Sequence, residues 1–396
     1  MIHEDLIKIT KYDVFGKLPN LFKFNDGTDV KTPEDFERKK EEIKKDAFPI
    51  QYGDLPPEPE FLEVEKIHWH WTNTMATYQV TTGTRKNPIT FFMYYKTARR
   101  DPVNQPKNPV VIDGDFCWPN ARITEDYVRA YLKNNVDLIL FDRTVFSHDV
   151  RFERKVDGRG LGQIHRTYPD LDIGQIGAWA WGYSRCIDAL EKLDICDLSC
   201  IAVTGHSRGG KTALLAGILD ERITITNPNS SCMGGGGCYR IDTEVTDEYG
   251  KENRKSERIS WFIKAGSIDW FNAKLADYMD REDELPFDAH SLKALVAPRI
   301  LFVSEGASDI SANPVGSWQT NMAATEVYKL YGKEENMLWY FRNGDHDHTP
   351  GDVEQLCNII NREKFGKPLN DKFFKTPFKP MELAFDWRCP EKIIMT

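Results

Sequence analysis

The stretch IAVTGHSRGGKTALLAGILD, residues 201–220, contains the most informative pattern of the chain. An apolar run, a glycine-rich turn and an apolar helical pattern follow one another, which predicts a strand, a turn and a helix. Gly205-His206-Ser207-Arg208-Gly209 fits G-x-S-x-G, in which a serine occupies a strained turn between a strand and a helix. The same stretch also fits the phosphate-loop pattern G-x-x-x-x-G-K-S/T, through Gly205 and Gly210-Lys211-Thr212. Both patterns require the same local structure, so these residues alone do not choose between them.

Residues further along the chain favour a serine hydrolase. Such an enzyme needs an acid and then a histidine, each placed after a later strand. RILFVSEGASDISANP (299–314) places Glu305 and Asp309 beyond an apolar run, and MLWYFRNGDHDHTPGD (337–352) places His346 and His348 beyond the last one. A phosphate-loop protein would instead need an acid at the end of another strand to hold magnesium. The best candidate, Asp142, precedes the loop, so a serine esterase is predicted and a nucleotide-binding protein stays a remote alternative.

The rest of the chain predicts a doubly wound α/β domain. Short runs that are apolar throughout suit strands buried on both faces of a parallel sheet, and helical patterns lie between them. The alternating stretches TYQVTTGT and ITFFMYYKT predict an antiparallel edge. We expect an N-terminal extension over residues 1–60 and a catalytic domain over 61–396, with an insertion over the active face at about 240–290. The predicted core strands are 109–115, 136–142, 198–205, 299–305 and 337–341, and the main helices are 175–193 and 211–220.

Composition excludes several other classes of protein. The formal net charge of −9 argues against a nucleic-acid-binding protein, which would normally carry a basic stripe. No run approaches the roughly 20 apolar residues of a membrane helix. The first residues, MIHEDLIKITKYD, lack a signal-peptide pattern, so a cytoplasmic location is expected, with a trimmed secreted protein as the alternative. The eight cysteines are then expected to be reduced, and without a CxxC pair no structural zinc site is predicted.

Four longer motifs carry a family resemblance. GHSRGGK (205–211), NPNSSCMGGGGCYR (227–240), LPFDAHSLKALVAPR (285–299) and AWAWGYSRCIDALEKL (178–193) together resemble carbohydrate esterase family 15, the glucuronoyl esterases and their bacterial relatives. The leader TPEDFERKKEEIKK is similar to that of bacterial members. The resemblance implies an α/β-hydrolase fold, a three-layer αβα sandwich with a serine triad. It also implies cleavage of the ester between a lignin alcohol and 4-O-methyl-glucuronate on xylan, with an acetylated sugar as the alternative substrate.

The resemblance also assigns roles to residues of this chain. Ser207 is expected to be the nucleophile, Arg208 the oxyanion residue and Lys211 a contact to the uronate hydroxyls. The family's G-H-G-L-T ending selects His346 over His348 as the base. Ser230 stands where fungal members carry the acid, so Asp309 is expected to supply it.

Other positions depart from the fungal pattern. His206 replaces the fungal cysteine, so the disulfide built on that cysteine cannot form. Ile310 and Ser267 stand in our alignment where a tryptophan and a glutamate contact uronate, which weakens the expectation of glucuronate specificity.

The remaining expectations concern the walls of the site. A second oxyanion donor is expected near Asp115 and Phe116. No metal and no organic cofactor is expected, and the expected partner is a small carbohydrate ester rather than nucleic acid or membrane. The aromatic residues of a possible sugar platform, which are equally consistent with core or lid residues, are Trp118, Trp261, Trp270 and Tyr239.

Overall fold

The apolar runs form one large sheet in the computed structural model, which describes residues 11–101, 104–118, 122–149, 161–246, 252–378 and 381–391. Its strands are β2 (Phe61–Trp69), β3 (Met75–Gly83), β4 (Pro88–Lys96), β5 (Pro109–Asp113), β6 (Asp137–Phe141), β7 (Asp197–His206), β8 (Ile225–Asn229), β11 (Ile300–Gly306) and β12 (Met337–Arg342). Within the described residues these strands lie in the order β12-β11-β8-β7-β5-β6-β4-β3-β2. Strands β12 to β6 of that order are parallel, whereas β4, β3 and β2 form an antiparallel extension at one edge.

Helices cover both faces of the sheet because its parallel strands are buried on both sides. Along β5, Val110 and Ile112 belong to one apolar core and Val111 to the other, as the alternation of side chains along a strand requires. The helices of the described residues are α1 (Pro33–Gln51), α2 (Glu125–Leu132), α3 (Gln163–Thr167), α4 (Gln175–Leu193), α5 (Arg208–Leu219), α6 (Ile259–Lys264), α7 (Ala289–Ala294), α8 (Pro314–Leu330) and α9 (Pro350–Phe365). The larger core contains α4, α5, α7 and α8, and the smaller contains α2 and α9. The predicted αβα sandwich is thereby confirmed.

The N-terminal segment and the residues after β8 pack together beside this sandwich. Thr32 caps α1 in a capping box with Asp35, and Pro33 occupies the first turn. A small antiparallel sheet joins the two regions through β1 (Lys11–Val14), β9 (Ile241–Thr246) and β10 (Glu252–Lys255). The domain division at residue 60 stays a prediction. Within the part of the chain that the structure describes, no helix is long and apolar enough to span a membrane.

One core strand is absent from the sequence-based prediction. Strand β8 pairs with β7 on one side and β11 on the other, yet its sequence ITNPN contains two asparagines and a proline. Asn227 and Asn229 are buried with their amides bonded inside the sheet, and Pro228 lies opposite Gly205. Polar residues and a proline normally argue against a central strand, which explains the error.

The packing of α4 yields a stability prediction. A Cβ at Gly182 would lie 2.5 Å from Cε2 of Phe146 and 2.9 Å from Cε2 of Phe141, whereas a Cβ at Gly177 would meet nothing closer than 3.4 Å. We therefore expect Gly182→Ala to destabilise the protein by about 1–3 kcal/mol through overpacking. Gly177→Ala in the same helix should stabilise it by about 0.5–1 kcal/mol through helix propensity. Urea denaturation measures both, and equal free energies of unfolding for the two variants would contradict the packing.

Candidate active site

Ser207 lies in a strained turn between β7 and α5. Its φ of 57° and ψ of −121° are unusual for a residue with a side chain, and such strain is common at functional sites. The flanking glycines allow the turn to be this tight. A Cβ at Gly205 would lie 2.4 Å from the Gly209 carbonyl oxygen, and a Cβ at Gly209 would lie 2.2 Å from Oδ1 of Asp115. The glycines of the G-x-S-x-G pattern are therefore required by close backbone approach.

Hydrogen bonds to neighbouring strands hold the turn in place. The Ser207 N–H donates to the Asn229 carbonyl oxygen at 3.0 Å, and the His206 N–H donates to Oδ2 of Asp115 at 2.7 Å. Nδ1 of His206 lies 2.6 Å from Oδ1 of Asn229, whose amide nitrogen donates to Ser304 Oγ. This arrangement indicates that Nδ1 of His206 carries the proton.

Two loops bring Asp309 and His346 together. The loop after β11 is bonded to the loop after β12, because the N–H groups of Ala307 and Ser308 donate to the carbonyl oxygens of Arg342 and Gly344. Nδ1 of His346 then lies 2.6 Å from Oδ2 of Asp309. The acid is completely buried, while about a third of the histidine side chain is exposed. This pair is an imidazole oriented by a buried carboxylate.

The ring of His206 connects this pair to the serine turn. Its centroid lies 4.6 Å from that of His346 and 5.9 Å from that of His348. His348 is partly exposed as a residue, but its Nε2 is buried, its ring contacts that of Tyr127, and desolvation lowers its pKa to about 3. Of the two candidate histidines, His346 is therefore the one that the structure pairs with an acid.

Glu305, the other candidate acid, is hydrogen-bonded to a residue of α8. Its Oε1 accepts a hydrogen bond from Ser317 Oγ at 2.8 Å, and burial raises its pKa. Burial lowers the pKa of Lys293, which lies in the same buried polar cluster and donates to Thr320 and Asn321. The geometry therefore favours Asp309 over Glu305 as the partner of the histidine.

Arg208 is held beside the serine by aromatic rings and a carboxylate. Its guanidinium carbon lies 4.3 Å from the centre of the Trp270 ring and 5.9 Å from that of Trp118. Its Nη1 donates to Oδ1 of Asp149 at 2.8 Å. About a fifth of the Arg208 side chain is exposed, so the cation is partly open to the site.

The predicted sugar contacts are more buried than expected. Trp270 and Tyr239 each expose only 2% of their surface, so neither provides a sugar platform. Trp270 packs on Arg208 instead, and the Tyr239 hydroxyl donates to Oε1 of Gln51 while its ring packs against Phe287. Their burial does not favour a direct sugar contact, and both assignments as substrate-binding residues stay predictions. Trp118 and Trp261 remain partly exposed.

Lys211 is also inaccessible. Its ammonium donates to the Ser231 carbonyl oxygen at 2.7 Å and to Oε2 of Glu257 at 3.1 Å, and the side chain is completely buried. The predicted direct contact with uronate hydroxyls does not fit this burial. Lys211 instead joins the start of α5 to the segment that precedes α6.

The expected second oxyanion donor is engaged elsewhere. The Asp115 N–H donates to Oδ1 of Asp113, and the Phe116 N–H donates to the Phe141 carbonyl oxygen. Both N–H groups close the turn after β5, so neither is the second donor in this arrangement, and a donor elsewhere in this loop stays a prediction. Asp142, the acid considered for magnesium, bonds the backbone N–H and the hydroxyl of Thr144.

Several residues at the site escaped the sequence analysis. Arg143 and Asp149 follow β6, and Glu257 precedes α6, none within a recognisable motif. Arg342 braces the histidine loop by donating to the carbonyl oxygens of Asp345 and Asp347. The only sequence signal for Arg143 and Arg342 is their position at the carboxyl end of a strand.

None of the eight cysteines, all of which the structure describes, forms a disulfide, and most of them are buried. Among the described residues, no group of three or more histidine, cysteine, aspartate or glutamate side chains is placed to hold a metal ion.

The chain is similar to several known proteins over most of its length. A family model described as glucuronyl esterase, fungi, matches residues 103–332. A 4-O-methyl-glucuronoyl methylesterase of Schizophyllum commune is 29% identical over 365 residues, which cover 91% of this chain and 85% of that protein. The carbohydrate esterase family 15 glucuronoyl esterase of Caldicellulosiruptor kristjansonii has a TM-score of 0.80 at 27% identity, covering 94% of this chain and 96% of that one.

A third relative was solved with a ligand. It is a variant of the Sporotrichum thermophile glucuronoyl esterase, in complex with methyl 4-O-methyl-β-D-glucopyranuronate. Its TM-score is 0.72 at 26% identity, and the match covers 92% of each chain.

The burial of Lys211 leads to a stability prediction. Lys211→Met leaves the Glu257 carboxylate, only 12% exposed, without its counter-ion, and breaking a buried pair in this way costs about 3–5 kcal/mol. The double variant Lys211→Met/Glu257→Gln should recover much of this loss. Urea denaturation measures the effect, with Lys23→Met as a control that changes little, because both members of the pair between Lys23 and Asp29 are about half exposed. An unchanged unfolding midpoint for Lys211→Met would contradict a structural role.

Proposed function

The chain belongs to the glucuronyl esterase family, and we propose that it hydrolyses 4-O-methyl-glucuronoyl esters with Ser207, His346 and Asp309 as its catalytic residues. It is a carboxylic-ester hydrolase. The observation that carries the assignment of residues is the 2.6 Å contact between His346 and Asp309. The His346 ring lies beside the ring of His206, which directly precedes Ser207 in the strained turn.

The reaction follows from the two nitrogens of the His346 ring. Asp309 accepts a hydrogen bond from the Nδ1–H of His346, which leaves Nε2 with a lone pair as the general base. His346 takes the Ser207 proton as the serine oxygen attacks the ester carbonyl, and it then gives this proton to the departing alcohol. Water, activated by the same nitrogen, releases the uronate from the acyl-enzyme.

Arg208 is the cation available to the developing negative charge. Its backbone N–H, at the first position of α5, and its partly exposed guanidinium are the groups we assign to the oxyanion. Preorganised donors of this kind are the largest catalytic factor in many enzymes. A glucuronate ester also releases an anionic product, for which a neighbouring arginine is suited.

The choice of a glucuronoyl ester over an acetyl ester rests on the named activities of the relatives and on this cation. The exposed parts of Trp118 and Trp261 are the aromatic surfaces left for the sugar. An acetylated sugar remains the second candidate, since Lys211 and Trp270 are buried and Ile310 replaces an expected aromatic residue. We further propose that the chain is of the bacterial type, with its acid after β11. Its location in the cell stays a prediction.

A substrate panel tests the proposal. We expect the enzyme to hydrolyse benzyl glucuronate faster than 4-nitrophenyl acetate or acetylated xylo-oligosaccharide, and Ser207→Ala to abolish hydrolysis of each. A fluorophosphonate probe should label Ser207 in the wild type and leave the Ser207→Ala variant unlabelled. Efficient cleavage of acetyl esters without turnover of the glucuronate ester would instead assign the enzyme to acetylated sugars. Oligosaccharide binding without any hydrolysis would indicate a non-catalytic relative.

The acid is tested by a matched pair of variants. Asp309→Asn reverses the hydrogen bond that fixes the His346 tautomer, so we expect kcat to fall by a factor on the order of 10⁴ with little change in KM. Glu305→Gln retains an oxygen for Ser317 and lies outside the histidine pair, so its kcat should stay within about tenfold of the wild type. A large loss at Glu305 together with a normal Asp309→Asn variant would show that the assignment is wrong.

A further inference from the structure

A chain of alternating charges runs beneath the serine turn. It begins at the His206 N–H, which donates to Asp115, and Asp115 pairs with Arg143. Nη2 of Arg143 lies 3.4 Å from Oδ2 of Asp149, whose Oδ1 accepts from Arg208 at 2.8 Å. The chain thus starts at the residue before Ser207 and ends at the side chain of the residue after it.

Burial makes this chain a fixed arrangement. Arg143 is completely buried, with its guanidinium carbon 4.9 Å from the centre of the Trp179 ring. Asp115 and Asp149 expose only 2% and 4% of their side chains. Buried charges of this kind are tolerated only when they are paired and hydrogen-bonded, so each member holds the next in position.

Asp149 serves two arginines that differ in accessibility. One of its oxygens faces Arg143, in the interior, and the other faces Arg208, whose guanidinium is partly exposed beside the nucleophile. The Trp270 ring also contacts the Arg208 guanidinium, so the Asp149 carboxylate and the Trp270 indole together restrict its orientation. An arginine side chain without such contacts would lose rotamer freedom on meeting the developing oxyanion, whereas a restricted one is already oriented.

We propose that Asp149 is a positioning residue for Arg208, held from behind by Arg143, and that it orients the guanidinium toward the reacting ester carbonyl. The inference rests on the proposed function, because it requires Arg208 to act on an ester. It predicts that Asp149 acts on the rate only through Arg208. A carboxylate that merely holds the loop after β6 would act in the same way whatever residue occupies position 208.

A double-mutant cycle tests this dependence. The variants are Asp149→Ala, Arg208→Met and the double variant Asp149→Ala/Arg208→Met, assayed for kcat and KM on benzyl glucuronate and 4-nitrophenyl acetate. We expect Asp149→Ala to lower kcat about 10- to 100-fold, below the 10²- to 10³-fold loss typical for removing a whole oxyanion donor. In the Arg208→Met background the same change should cost less than about twofold, because interacting residues are not additive.

Two further variants separate positioning from folding. Asp149→Asn retains an oxygen that accepts from Arg208, so it should recover most of the kcat lost in Asp149→Ala, and it provides the same cycle if the alanine variant does not fold. Asp188 pairs with Arg185 at 2.7 Å and with Arg222 at 2.8 Å. Arg222 follows the C-terminal end of α5, whereas Ser207 precedes the N-terminal end of that helix. Asp188→Ala should lower the melting temperature and leave kcat unchanged.

The outcomes distinguish the inference from the proposed function. An active wild type in which Asp149→Ala costs the same factor in both backgrounds would overturn the inference alone. The same follows if Asp149→Ala lowers the melting temperature and leaves kcat intact. A wild type that hydrolyses neither ester would overturn the proposed function, and the inference with it.

Discussion

The ion pair between Asp115 and Arg143 lies beneath the turn that carries Ser207, and the active-site end of the sheet is organised around it. Asp115 accepts the His206 N–H, and only a residue without a Cβ fits against its carboxylate at position 209. Because an unpaired charge at this depth would be strongly destabilising, Arg143 has to lie opposite Asp115. Its second contact then places Asp149, and through Asp149 the side chain of Arg208.

The histidine side of the site has a different feature, a second histidine, His348, that is kept uncharged. His206 lies between His346 and His348, where the fungal relatives are expected to carry a cysteine. Burial, together with Arg122 and Arg342, holds the pKa of His348 far below its ordinary value. The His348 ring is therefore neutral at physiological pH, so it carries no positive charge that would oppose protonation of His346 during the reaction.

Burial also separates residues that look alike in the sequence. Lys211, Trp270 and Tyr239 have the chemistry of sugar contacts, yet each bonds or packs inside the protein. No sequence motif distinguishes Trp118 and Trp261 from these residues, yet both remain partly exposed. Which side chains can reach a substrate thus depends on which of them are buried by packing between distant parts of the chain.

The sequence by itself determined the elements and their order. Residues 201–220 predict the strand, the turn and the helix around Ser207, and apolar runs place Asp309 and His346 after later strands, because periodicity and turn chemistry are local properties. It did not identify β8, whose buried asparagines are bonded only within the finished sheet. The local pattern left both Asp309 and Glu305 open, four residues apart, and only the family resemblance preferred Asp309. The tertiary structure adds the contact between Asp309 and His346, and it places Arg143 and Asp149 behind Arg208. These choices depend on burial and on pairing between residues far apart in sequence, which no local pattern records.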